Sequence, residues 1–164
     1  MLCERIYGKL SEMDTAGKAV EYVDIEWHEA FKKIHRKRTS AGREIGIRMD
    51  DSVLARGLLQ DDVIYMDESL IIAVNTPPCE VIDISFEEGQ EYMAAKVCYE
   101  TGNRHAPLFW GESQDTFVVL YDGPMLAMLE KIPGVKASRA VKKLDFDRRI
   151  SSGMPHSHHH SHGM

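Results

Sequence analysis

Two changes of rhythm along the 164-residue chain predict an α+β protein in three parts. Short alternating segments bounded by turn residues fill residues 1–76, a strand-helix-strand-strand-helix-strand succession occupies residues 80–148, and residues 151–164 are serine, glycine, proline, methionine and histidine with no apolar period. The first part reads as a small N-terminal antiparallel β domain. The second reads as a ferredoxin-like βαββαβ domain with its helices on one face of the sheet, and the third as a disordered His-rich tail that cannot offset the entropy of being ordered.

In the first part, Val20 to Trp27, Glu44 to Met49, Asp62 to Asp67 and the hydrophobic run Ser69 to Asn75 are the expected strands. Ser40-Ala41-Gly42-Arg43 joins two of them as a hairpin. Trp27, Phe31 and Ile34 stand at helical spacing, whereas Arg36 to Thr39 looks extended, so a short helical turn is expected to lead into a strand there. Asn75-Thr76-Pro77-Pro78 ends the domain, because two successive prolines remove backbone donors and restrict the residues before them.

The second part begins with a strand at Val81 to Phe86 and a helix from Glu87 to Glu100. Gly102 is placed to stop that helix as a left-handed residue, and Asn103-Arg104 continue the turn that puts His105 on a rigid corner before Pro107. Strands at Pro107 to Trp110 and Thr116 to Tyr121 follow. A helix from Pro124 to Lys131 opens on an early proline, with Asp122 as its N-terminal cap, and stops before Pro133-Gly134. A strand from Val135 to Leu144 closes the series.

Composition narrows the function. The chain is 43% apolar and 28% charged, as a folded domain requires, and its formal charge of −6 disfavours general affinity for nucleic acid or anionic lipid while suiting a divalent cation. Neither a membrane span nor a secretory leader is evident, which predicts a cytoplasmic protein. Cys3, Cys79 and Cys98 are odd in number and far apart, so no disulfide framework or structural zinc site is indicated. Cys98 sits at core spacing with Met93, Ala94 and Val97; Cys79 is a minor candidate for contact with metal.

Five of the eight histidines, His156, His158, His159, His160 and His162, crowd the tail. Imidazole is accepted by nickel, copper and zinc alike, and a flexible run can wrap several rings around one ion. Interruption by Ser157 and Ser161 and the following Gly163-Met164 distinguish it from an appended affinity run. His105 alone cannot hold a transition metal tightly. His28 and His35 read as surface or core residues, and the basic stretch Lys32 to Arg38 as a solvated strand face or a contact for an acidic protein.

The segment Glu100-Thr101-Gly102-Asn103-Arg104-His105-Ala106-Pro107-Leu108, between a helix and a β-hairpin, resembles the Gly-Asn-Arg-His signature of the UreE family of urease accessory proteins. Arg36-Lys37-Arg38-Thr39 with the Gly42 to Gly46 hairpin is similar to that family's Arg-x-Arg-Thr and Gly-x-x-x-Gly pattern, and the His-rich end matches as well. The resemblance implies a homodimer whose second domains meet head to head, so that two His105 rings share one Ni(II) with help from the tail. It also implies a peptide-binding-like first domain, and partnership with apo-urease and other urease accessory proteins, the GTPase UreG among them. Relatives with further histidines just before the second helix differ from this chain, which has Leu120-Tyr121-Asp122-Gly123; Asp122 is there at most a weak oxygen ligand. A storage protein for nickel or zinc is the alternative. An enzyme is not expected, since one fixed histidine falls short of the three protein ligands a metal-bound water needs.

Overall fold

A computed structural model describes residues 1–150; the predicted tail and its five histidines lie outside the described residues. The chain divides into two compact units, Met1–Pro78 and a second that begins at Cys79.

The first unit holds two sheets. In one, β1 (Leu2–Cys3) pairs in parallel with β5 (Glu44–Arg48), which pairs antiparallel with β4 (Ile34–Arg38). In the other, β2 (Gly8–Lys9), β6 (Asp62–Met66) and β7 (Leu70–Asn75) are antiparallel neighbours, and β3 (Ala19–Asp24) lies parallel to β7. The β character follows from the alternation of Ile45, Ile47 and Val23 with polar neighbours. Alternation fixes a face and says nothing of direction, so the two parallel pairs were not legible. The long crossover that a parallel pair needs is supplied by the chain between β3 and β7, which includes the β4–β5 hairpin and a four-residue helix, α1 (Val53–Arg56).

Trp27 to Lys32 makes only successive i to i+3 turns, and Ile34 opens β4 with its side chain 73% exposed, so the helical spacing there was coincidental. Two buried carboxylates staple the unit. Asp62 accepts from both guanidinium nitrogens of Arg56, from the Leu59 amide and from Lys9. Glu21 accepts from Thr39 Oγ1 at 2.5 Å and from Arg43 Nη2 at 3.0 Å, tying β3 to the hairpin after β4.

The second unit is one antiparallel sheet in the order β11-β8-β10-β9, where β8 is Cys79–Phe86, β9 Leu108–Trp110, β10 Phe117–Leu120 and β11 Val135–Lys142. Numbered within the unit, that order is 4-1-3-2, the ferredoxin-like arrangement of a β-α-β-β-α-β chain. Helix α2 (Ala94–Asn103) begins later than its apolar pattern suggested, because Gly89 at φ +80° and a single tight turn at Glu91–Met93 take up the preceding residues. Helix α3 (Gly123–Glu130) is capped by Asp122, whose Oδ2 accepts from the Met125 amide at 2.9 Å. Val97, Met125, Leu129 and Ile132 pack on Ile82, Ile84, Leu108, Phe117 and Val119 to form the core.

Side chains alternate across a sheet, so Val81, Phe109 and Val118 face away from that core, yet all three are buried. Phe109 and Val118 are covered by the chain after β11. Leu144 leaves the strand in which the sequence placed it and is buried, as is Phe146, whose ring meets Phe109 edge-on at 6.1 Å. Burying those two side chains stabilises the unit by about 1.5–3 kcal/mol each. Arg149 then bridges Phe109, and the Ile150 amide donates to the Leu108 carbonyl at 2.8 Å.

Candidate functional site

The turn between α2 and β9 is built from backbone hydrogen bonds. The Ala106 amide donates to the Thr101 carbonyl at 3.1 Å and the His105 amide to the Gly102 carbonyl at 2.9 Å. These two bonds are the 6→1 and 5→2 pair of a Schellman ending, which places Arg104 at the C-cap and His105 at the next position. That position demands a left-handed residue. His105 supplies it, at φ +56°. Gly102, expected to be the left-handed stop, is an ordinary helical residue one turn earlier.

Glycine usually fills this place, because a Cβ there crowds the next carbonyl at a cost of roughly 1–2 kcal/mol. Histidine is among the few other residues that tolerate it. The strain is held by fixed neighbours on both sides. Thr101 is fully buried, its Oγ1 donating to the Val97 carbonyl at 2.8 Å, while Pro107 and Leu108 are buried in turn. Arg104 pairs with Glu100 one turn back, at 2.9 Å. The corner thus presents an exposed imidazole whose ring engages no hydrogen bond or ion pair among the described residues.

Nothing else among the described residues joins it to make a group of three or more histidine, cysteine, aspartate and glutamate side chains able to hold a metal. The carboxylate of Asp122 is engaged as the cap of α3. Cys79 lies in β8, opposite Lys142, and all three cysteines are free thiols; burial pushes the Cys3 and Cys98 thiols up. In the first unit His28 is exposed beside Trp27, while His35 is buried with Nε2 2.9 Å from the Lys32 carbonyl, and burial pushes that imidazole down. In the basic stretch, Lys33, Lys37 and Arg38 are paired with Asp51, Glu29 and Glu44.

Comparison with known proteins bears on the turn and on the whole chain. The UreE urease accessory protein N-terminal domain matches residues 3–76, and the UreE urease accessory protein C-terminal domain matches residues 79–164. The chain belongs to the UreE family. It is 44% identical to the urease accessory protein UreE of Helicobacter pylori (strain G27) over 157 residues, which is 96% of this chain and 90% of that one. It is 43% identical to that of Helicobacter acinonychis (strain Sheeba), with the same coverage. The Helicobacter bizzozeronii protein is 29% identical over 96% of this chain and 86% of its own. The family is one of accessory proteins to urease and not of enzymes. No described helix is long and apolar enough to cross a membrane.

Proposed function

We propose that this protein is a nickel carrier for urease maturation, a cytoplasmic homodimer that clasps one Ni(II) between the His105 rings of its two subunits. The observation that carries the reading is the backbone of His105: a strained left-handed corner, where glycine would be easier, is occupied by an exposed metal-ligating side chain. Such strain persists where a side chain is needed at that spot. One imidazole per subunit is a poor site; a twofold axis supplies the second, and His156, His158, His159, His160 and His162 of the tail provide the rest of the ligand set and extra capacity.

A site so assembled, with positions left to water, releases its ion readily, as delivery requires. Coordination requires neutral rings, so nickel competes with protons for the site. The metal passes to apo-urease with the help of other urease accessory proteins, the GTPase UreG included, and the β-rich first unit supplies a docking surface. Free thiols suit a reducing compartment.

Calorimetric nickel titration tests this. His105→Ala should abolish the tightest nickel per dimer, whereas truncation after Ile150 should mainly lower the number of weaker ions. If truncation removed nearly all binding and His105→Ala changed little, the protein would be a storage buffer and not a carrier.

A further inference from the structure

We propose that β11 is a docking edge, on which an acidic, extended segment of a protein partner adds a strand to the sheet of the second unit. The inference goes beyond the carrier reading and does not depend on His105. The two edges of that sheet differ. β9, at one end, is bridged by Arg149, and its Leu108 carbonyl accepts from the Ile150 amide. β11, at the other, runs for 8 residues, and among the described residues no strand lies on its far side.

The ladder fixes which backbone groups that edge offers. The Glu87 amide donates to the Gly134 carbonyl at 2.9 Å, so Gly134 and Glu87 are a hydrogen-bonded pair. Such pairs alternate along an antiparallel ladder, and β11 stays in register with β8 from Val135 opposite Phe86 to Lys142 opposite Cys79. Lys136, Ser138, Ala140 and Lys142 therefore bond to β8, whereas Val135, Ala137, Arg139 and Val141 turn their N–H and C=O groups outward. The Glu80 carbonyl agrees with this parity: opposite Val141, it accepts instead from the Tyr121 amide on its other side, at 3.0 Å. An added strand satisfies all four outward residues.

Charge selects the occupant. From Val135 to Lys143 the chain carries Lys136, Arg139, Lys142 and Lys143 and no carboxylate, in a protein of net charge −6. Glu80 and Asp83, which pair with Arg139 and Lys142, stand on β8, one strand inward, and Glu112 reaches Lys142 at 3.7 Å from the loop after β9. Lys136 is exposed and makes no ion pair among the described residues. These cations deter a second copy of β11 and attract a strand that bears carboxylates. Lys136 and Lys142 share one face of the sheet; Val135, Ala137 and Val141 share the other, where Val141 is 66% exposed. The segment that fits alternates acidic with apolar residues.

The test uses the full-length chain at low salt and a synthetic peptide, acetyl-Glu-Val-Glu-Val-Glu-Val-Glu-amide, with its lysine-for-glutamate counterpart as control. Under saturating acidic peptide, amide hydrogen exchange read by NMR should slow at least about tenfold at Val135, Ala137, Arg139 and Val141. The change should be smaller at Lys136, Ser138 and Ala140, whose amides already serve β8. Lys136→Glu should weaken the acidic peptide about threefold or more and strengthen the lysine one. Ala137→Pro deletes an outward amide, leaves the bonds to β8 in place, and should weaken binding about fivefold or more. Unchanged exchange at the outward amides, or equal protection by the lysine peptide, would overturn the proposal. Protection that appears without peptide and grows with protein concentration would assign the edge to a second copy of the chain and overturn it as well.

Discussion

Replacing His105 by glycine should make the apo-protein more stable while abolishing its tightest metal site. The left-handed backbone at φ +56° costs a side-chain-bearing residue roughly 1–2 kcal/mol, and glycine removes that cost. Glycine also gives the unfolded chain more freedom, which offsets about 0.4–1 kcal/mol. His105 is exposed, so its loss forfeits little burial. The difference is a net gain of about 0.5–1 kcal/mol, a rise on the order of 2–8 °C in the melting temperature of a unit this size. His105→Ala keeps the Cβ and the strain, so it should melt close to the unaltered protein. Thermal unfolding followed by circular dichroism in chelator distinguishes the three chains. If His105→Gly melted no higher than His105→Ala, the corner would not be strained and its backbone would give no reason to assign His105 a function.

Asp122→Ala removes the cap of α3 and should cost about 1 kcal/mol of stability without changing nickel affinity; a drop in affinity would make the carboxylate a ligand after all. Burial pushes the Asp62 carboxyl up, but hydrogen bonds from Arg56, the Leu59 amide and Lys9 outweigh it and hold the group below its ordinary value of 3.8. Because the folded value lies below the unfolded one, the stability it contributes is present above about pH 4 and is lost as pH falls through the folded value. Urea unfolding of Asp62→Asn should accordingly show a loss of about 2 kcal/mol or more at neutral pH and a flatter decline in acid. At the tight β6–β7 turn, amide donors from Ser69, the Tyr65 hydroxyl and the Leu70 amide lower the Asp67 carboxyl to about 2, so its carboxyl carbon should titrate there by NMR, not near 4.

What the sequence made legible follows from what each pattern encodes. Periods of two and 3.6 residues mark strands and helices, and their order alone was enough for the ferredoxin-like unit. Strand direction leaves no trace in such periods, which is why the parallel β1–β5 and β3–β7 pairs were missed. The cover after β11 was missed for a different reason: Leu144 and Phe146 alternate as a strand would, and only the apolar Phe109 of β9 and Val118 of β10, on the face away from the core, signalled that something must cover them. At the site, the position of His105 was readable from Gly102 and Pro107, but the left-handed residue was misassigned. Ala106 followed by Pro107 was the better guide, since a Schellman ending wants an apolar residue just after the left-handed one and a proline soon afterwards.

Mixed dimers test most directly whether two copies of His105 hold one ion together. Subunits of the unaltered protein and of His105→Ala, differently tagged at the N-terminus, would be combined and the one-to-one heterodimer isolated and titrated with nickel. A shared clasp predicts that the heterodimer loses its tightest site as fully as the doubly substituted dimer does. Retention of that affinity at half the stoichiometry would show that each histidine binds alone, and would contradict the account.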